Sequence, residues 1–328
     1  MKSLTFVAAI LMAGAAQAET PVLTVYTYDS FVSDWGPGPA VEAAFEENCG
    51  CDLQFVGAGD GAELLSRLRL EGARTRADVV LGLDAGQIAA ARATGLFGPH
   101  GLDTSDFSAP VEWNDDMFVP FDWGYFAFVY DRGVVRQVPR NFRELIASDL
   151  TIIIEDPRSS TPGLGLLLWV KAAYGERSGE IWEGLAPRIV TVTKGWSEAY
   201  GLFLEGEADM VLSYTTSPLY HLIAEGDDSK AAALFDEGHY MQIEVAGKVA
   251  STDQPELADT FLAFMRSQRF QEIIPTTNWM YPAFLPQDAW PEGFSLASVP
   301  VRGLIFAPDE AGKKRDEALA QWLDILSR

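Results

Sequence analysis

This chain of 328 residues has two cysteines, three histidines and far fewer basic than acidic side chains, 24 against 47. So little cysteine excludes a scaffold held by many disulfides. Cys49 and Cys51, in Asn-Cys-Gly-Cys-Asp, cannot alone supply a four-ligand metal site. His100, His221 and His239 are scattered and lack metal-ligand spacing. A formal net charge of −23 opposes nucleic acid and anionic lipid as partners. Catalytic patterns are missing as well: no Gly-x-Ser-x-Gly elbow, no Ser-x-x-Lys, no His-Glu-x-x-His and no kinase set. Carboxylates are so numerous that any glycosidase pair would be an arbitrary choice. Beyond the N-terminus no long apolar run exists.

The N-terminus itself is informative. Lys2 precedes an almost wholly apolar stretch over 4–16, and Ala16-Gln17-Ala18 fits the small-x-small cleavage rule. The stretch is too short to span a bilayer comfortably. No Cys follows it and no twin Arg precedes it, which argues against a lipoprotein or a Tat substrate. Residues 1–18 therefore read as a signal peptide cleaved after Ala18, leaving an exported, soluble chain of charge −24. In that oxidising compartment Cys49 and Cys51 are expected to close a local disulfide at a helix-to-strand turn. Nine Trp suit recognition of a carbohydrate, heterocycle or cation.

The remaining length suits two domains. Strands are expected over 22–28, 52–57 and 77–83, with helices from Pro39 to 48, over 61–72 and over 86–94. Two short strands, 118–122 and 125–130, flank an Asp-Trp-Gly break. Alternation resumes with strands at 151–155, 189–192 and 208–213 and helices at 162–174 and 196–205. A longer strand over 240–250, a helix over 255–267 and a C-terminal helix complete the chain. This rhythm predicts an α/β fold of mostly parallel sheets flanked by helices, in two lobes with more than one crossover. It gathers Tyr28, Asp60, Asp84, Ser160–Thr161 and Tyr214–Ser217 at the carboxyl ends of strands, where ligands sit in open α/β sheets.

Three segments carry the site. Gly57-Ala-Gly59-Asp-Gly61-Ala62 follows a strand and opens a helix; it fits a dinucleotide loop loosely, with Asp84 as the acidic partner, so an exported oxidoreductase is a rival reading. Ser160-Thr161-Pro162 is a helix start, whose NH groups and hydroxyls cap the helix or receive an anion. The stretch 191–220 places Trp196 at a helix start and Tyr214, Thr215, Thr216, Ser217 and Tyr220 at the end of the next strand. With Trp279 in Thr-Thr-Asn-Trp-Met-Tyr-Pro, these make a stacking surface for a flat, polar ligand.

The strings LTVYTYDSFVSDWGPGP, RLRLEGARTRADVVLGLD, FVPFDWGYFAFVYD, DPRSSTPGLGLLLW, TVTKGWSEAYGLFLEGEADMVLSYTTSP and EGHYMQIEVA together resemble the thiamine-binding periplasmic proteins of ABC importers. The resemblance spans nearly the whole mature chain. It implies the two-lobed type II periplasmic binding fold with the ligand cleft between lobes. Lobe 1 would hold 19–118 and about 240–275, and lobe 2 would hold 119–239 and about 276–328. The implied ligands are thiamine and its mono- and diphosphate, bound by a monomer that needs no cofactor or metal and delivers to a membrane permease with its ATPase. Asp60 and Gly61 match the acidic loop of the first lobe. Ser160 and Thr161 match the hydroxyls at the tail end. Trp196 and 214–217 match the second-lobe wall, and Tyr28, Tyr220 and Trp279 the aromatics around the rings. A thiaminase of related fold would need a Cys nucleophile with a base, and no base beside the Cys pair is identifiable. An iron site would need adjacent tyrosines, and Tyr214 and Tyr220 are six apart.

Overall fold

The computed structural model describes residues 20–327. The expected signal peptide, 1–18, lies outside the described residues. Among the described residues eleven strands form the sheet: β1 Val22–Thr27, β2 Asp52–Gly57, β3 Val79–Asp84, β4 Phe118–Asp131, β5 Ile152–Glu155, β6 Ile189–Thr193, β7 Met210–Tyr214, β8 Lys230–Ala233, β9 His239–Lys248, β10 Tyr281–Pro282 and β11 Gly303–Leu304. Their main order is β2-β1-β3-β9-β4-β7-β5-β6. The flanks are parallel, β2-β1-β3 on one side and β7-β5-β6 on the other. β9 and β4 run antiparallel between them. Each flank with its helices forms one lobe, and the two central strands join the lobes.

Residues 118–131 form one continuous strand rather than two. What changes in mid-strand is the partner. Phe118–Tyr125 pair with β9, and Phe126–Asp131 pair with β7 and β8. The Asp-Trp-Gly segment is the handover point. Gly124 lets the Met280 side chain pack close there, its absent Cβ lying 2.7 Å from Met280 Cε. Nearly all of β4 and β9 is buried, as strands covered on both faces must be.

The first lobe packs Phe31, Phe45, Phe121 and Phe261 on one face of its sheet, and Leu64, Ile88 and Val245 on the other. The second centres on Phe128, Phe142, Trp169 and Trp182. The near-apolar helix Thr161–Tyr174 runs through that core with its first eleven residues buried. The lobe division read from sequence needs one correction. β10 pairs with β4 at Asp122 and Trp123, and the short helix Ile274–Thr277 packs on it, so the Trp279 segment sits with the first lobe. The C-terminal helix Pro308–Leu326 packs on the Thr161 helix and Ser178–Leu185 of the second lobe, and also touches Ala85–Gln87 and Ile88–Arg92 of the first. Cys49 and Cys51 are bonded to each other where helix Gly38–Cys49 turns into β2, as expected. No helix among the described residues is long and apolar enough to cross a membrane.

Candidate ligand-binding cleft

Because the flanking strands are parallel within each lobe, their carboxyl ends open towards the same gap. Tyr28 follows β1, Asp60 follows β2, Thr161 and Trp196 begin helices after β5 and β6, and Tyr214 ends β7. Between them lies a cavity of about 500 Å³. Eight of the twelve residues expected from sequence line it: Tyr28, Asp60, Thr161, Trp196, Tyr214, Ser217, Tyr220 and Trp279.

The other four do not. Gly61 is buried under Asp60, with its missing Cβ position 2.3 Å from Thr161 Oγ1. Its role is to let the two lobes approach there. Ser160, Thr215 and Thr216 are essentially inaccessible. The chain turns away from the cleft after Tyr214, and Thr215 N–H bonds to Tyr125 O on the hinge strand. A run of small hydroxyl residues looks uniform in sequence, but the turn sends only Ser217 to the cavity.

Two aromatic pairs cross the gap. Trp35 of the first lobe stands 6.2 Å from Trp196 of the second, and Tyr220 meets Trp279 edge to face at 5.5 Å. Trp196 is fixed by stacking on Tyr200 at 5.1 Å and by its Nε1 donating to Ser213 Oγ at 2.8 Å. Ser213 Oγ in turn bonds Ser217 Oγ at 2.7 Å. Trp279 has φ +56°, the left-handed region that a bulky residue enters only when its surroundings impose it. Gly82, at φ +101°, leaves room for Tyr28: a Cβ there would sit 2.3 Å from its ring.

Asp60 is the polar centre of the lobe contact. It caps its own helix, Gly61–Glu71, accepting Gly61 N–H at 2.6 Å. The same carboxylate reaches across to the second lobe, accepting Thr161 N–H at 3.3 Å and Trp196 N–H at 3.1 Å. It therefore occupies the positive ends of three helices at once. Burial raises its pKa, and the backbone N–H bonds oppose that rise. Glu63 reinforces the contact through its N–H to Ser159 O at 3.1 Å and its carboxylate to Lys194 Nζ at 3.0 Å.

Sequence reasoning missed Trp35, Tyr200, Asn278, Gln242 and Glu244, all of which line the cavity. Tyr200 lies four residues after Trp196 on one helix face, a spacing that pairs side chains. Gln242 and Glu244 alternate with Met241 and Ile243 on β9. Two polar residues at i and i+2 in an otherwise apolar strand were the available signal.

The geometry disposes of the rival enzymes. In the glycine-rich loop the Glu63 carboxylate lies beside Gly59 and pairs with Lys194. Asp84 is buried and caps the turn Ala85–Gln87, accepting Gly86 N–H at 2.7 Å. The two cysteines are joined and do not line the cavity.

A pair of α/β lobes joined by two shared strands, with an aromatic cleft at their strand ends, is the arrangement of a solute-binding protein. Residues 34–272 match the bacterial extracellular solute-binding protein family. The thiamine-binding periplasmic protein of Escherichia coli K12 is 52% identical over 97% of this chain and 98% of its own length. That of Brucella abortus is 48% identical over 98% of this chain and 96% of its own. The solved structure of a periplasmic thiamin binding protein superposes with TM-score 0.92 at 52% identity, covering 94% of this chain and 97% of that one. The chain belongs to the bacterial extracellular solute-binding family, among its thiamine-binding periplasmic proteins. These relatives are binding proteins and not enzymes.

Proposed function

We propose that the protein captures thiamine between its lobes as the solute-binding component of an ABC importer. The observation that carries this reading is the composition of the cleft. Aromatic rings from both lobes wall it, while a buried carboxylate, Glu244, lies at its hinge side. Thiamine combines a cationic thiazolium, a flat aminopyrimidine and a hydroxyethyl tail. Ring faces suit both rings and the positive charge, and a carboxylate suits the cation or the amino donor.

We extend the proposal to thiamine mono- and diphosphate. The starts of the Thr161 and Trp196 helices already hold an anion, the Asp60 carboxylate. A phosphate would bind at these same N–H groups by turning that carboxylate aside. We further propose that the mature chain starts after Ala18 in the periplasm and acts as a monomer. It would hand its ligand to an inner-membrane permease driven by an ATPase.

Calorimetric titration of the purified chain with thiamine tests the central claim. Saturable binding well below millimolar is expected. A dissociation constant no tighter than millimolar, only about 4 kcal/mol of binding free energy, would end the proposal. Titration with the two phosphates tests the extension separately.

A further inference from the structure

The hinge carries a row of acids with no basic partner among the described residues. Asp84, Glu244 and Asp122 stand directly opposite one another across β3, β9 and β4. Opposed side chains on antiparallel strands share a face at about 5 Å, where like charges repel. All three are buried, and none takes part in any ion pair among the described residues. The titratable groups facing Glu244 are Tyr28 from the end of β1, Asp84 from β3 and Asp122 from β4, with Tyr214 of β7 beyond them. Every one is an acid. Asn278 is the one neutral link: its Nδ2 donates to Asp122 Oδ2 at 2.6 Å and lies 3.0 Å from the Tyr28 hydroxyl and 3.4 Å from Glu244 Oε2. Tyr28 donates to Glu244 Oε2 at 2.9 Å.

Donors run out before acceptors do. Asp122 Oδ1 and Asp84 Oδ2 have no hydrogen-bond partner. Gln242 supplies an independent sign of a missing guest. It lies two residues before Glu244 on the same face, is 1% exposed, lines the cavity, and its Oε1 has no partner. Such a floor fits a cation or a strongly polarised N–H group.

We propose that Glu244 is the cation-recognising residue of the cleft, that it shares a proton with Asp122 while the cleft is empty, and that a cationic ligand displaces this proton. The two carboxyls lie within hydrogen-bond reach of each other, so one proton can serve both. Burial pushes Glu244 well above the usual carboxylate range, with Asp122 adding to the rise, and burial raises Asp122 as well. On binding, the proton leaves to solvent as the ligand's positive charge arrives, and no covalent bond changes. Burying the charge of the pair is then compensated by the ligand instead of by the proton. The inference rests on the thiamine reading above and names the residue that selects the cation.

Calorimetry of thiamine binding in two buffers of different ionisation enthalpy counts the protons released. Below the raised titration range of the pair the expected release approaches one proton, falling towards none as the pH rises through that range. Affinity should rise with pH by up to about tenfold per unit until the pair has lost its shared proton. Glu244→Gln should abolish both the release and the pH slope while weakening binding at higher pH. The neutral aminopyrimidine alcohol, lacking the thiazolium, should release nothing from the wild-type protein. The wild-type count needs no variant, so a Glu244→Gln chain that fails to fold does not spare the idea. Tight thiamine binding with buffer-independent heat and a flat pH profile overturns this inference and leaves the thiamine reading standing. No thiamine binding at any pH overturns both.

Discussion

Asp60→Asn separates what one carboxylate does inside a lobe from what it does between lobes. Within the first lobe Asp60 caps the Gly61 helix, and asparagine is an equally good cap. Folding stability should therefore fall by no more than about 1 kcal/mol. Between lobes the two residues are not equivalent. Oδ1 accepts Gly61 N–H and Thr161 N–H, while Oδ2 accepts Trp196 N–H. An asparagine that keeps its oxygen at the Oδ1 position turns an NH₂ group towards the Trp196 N–H, donor against donor. The substitution then removes one hydrogen bond to a charged group, about 1.5–3 kcal/mol. It also removes the favourable charge at a helix start, about 0.3–1 kcal/mol. Relief of the carboxylate's desolvation, visible in its raised pKa, offsets part of this. The net loss falls on the contact between the lobes and should be about 1–3 kcal/mol, or roughly 5- to 150-fold in thiamine affinity. Calorimetry measures the affinity and thermal unfolding the stability. An affinity within threefold of wild type, or a stability loss as large as the affinity loss, would refute the view that Asp60 holds the lobes together.

Trp279→Phe keeps an aromatic at the cleft edge and weakens only the contact with Tyr220, so it should cost about 1 kcal/mol of binding. Titration of both variants should rank it below Asp60→Asn; the reverse order would mean that stacking dominates. Gly61→Ala adds a Cβ 2.3 Å from Thr161 Oγ1 and 2.9 Å from Gly82 O, overpacking the lobe contact by about 1–3 kcal/mol. Affinity should fall about tenfold or more while the Gly61 helix stays formed by circular dichroism, and unchanged affinity would contradict the contact. Glu155 is buried with both oxygens unpartnered, and burial, then Asp60, raises its pKa well above the usual carboxyl range. A raised folded pKa contributes stability that is present at acid pH and lost as pH rises, by up to about 1.4 kcal/mol per unit. Glu155→Gln should therefore raise the melting temperature more at pH 8 than at pH 5, and equal shifts at both would refute it.

Periodicity located most elements because a buried parallel strand and an apolar helix carry strong local signals. β3 and the Thr161 helix are examples. It broke the hinge strand in two because Asp122-Trp-Gly looks like a turn. Only the change of partner from β9 to β7 and β8, which no local pattern encodes, keeps the strand extended. The aromatic walls were legible because Trp196, Tyr214, Tyr220 and Trp279 fall at element ends. Their cross-cleft partner Trp35 was hidden in a loop whose glycines and prolines drew the attention. The acidic floor was the least legible part. Glu244 and Asp122 are 122 residues apart and become neighbours only through antiparallel register. In a chain with 47 acidic residues neither one stands out.

The placement of charge explains why one carboxylate pairs with N–H groups and others stay without counter-ions. At the outer strand ends of the cleft, helix starts present N–H groups, and Asp60 satisfies them from within the protein. At the hinge, Glu244 and Asp122 present oxygens, and no basic side chain among the described residues satisfies them. The cleft is thus polarised along its length, with its anion-receptive end already occupied and its cation-receptive end unmatched except by a proton. A molecule with a positive ring and a polar or anionic tail can address both ends, the ring over the acids and the tail beside Asp60. A neutral heterocycle gains only the aromatic walls and leaves the acids to their proton. An anion without the ring must compete with Asp60 and gains nothing at the hinge. Selectivity for a cationic heterocycle then follows from which polar groups the fold leaves unmatched, and the aromatic rings supply affinity common to many flat ligands.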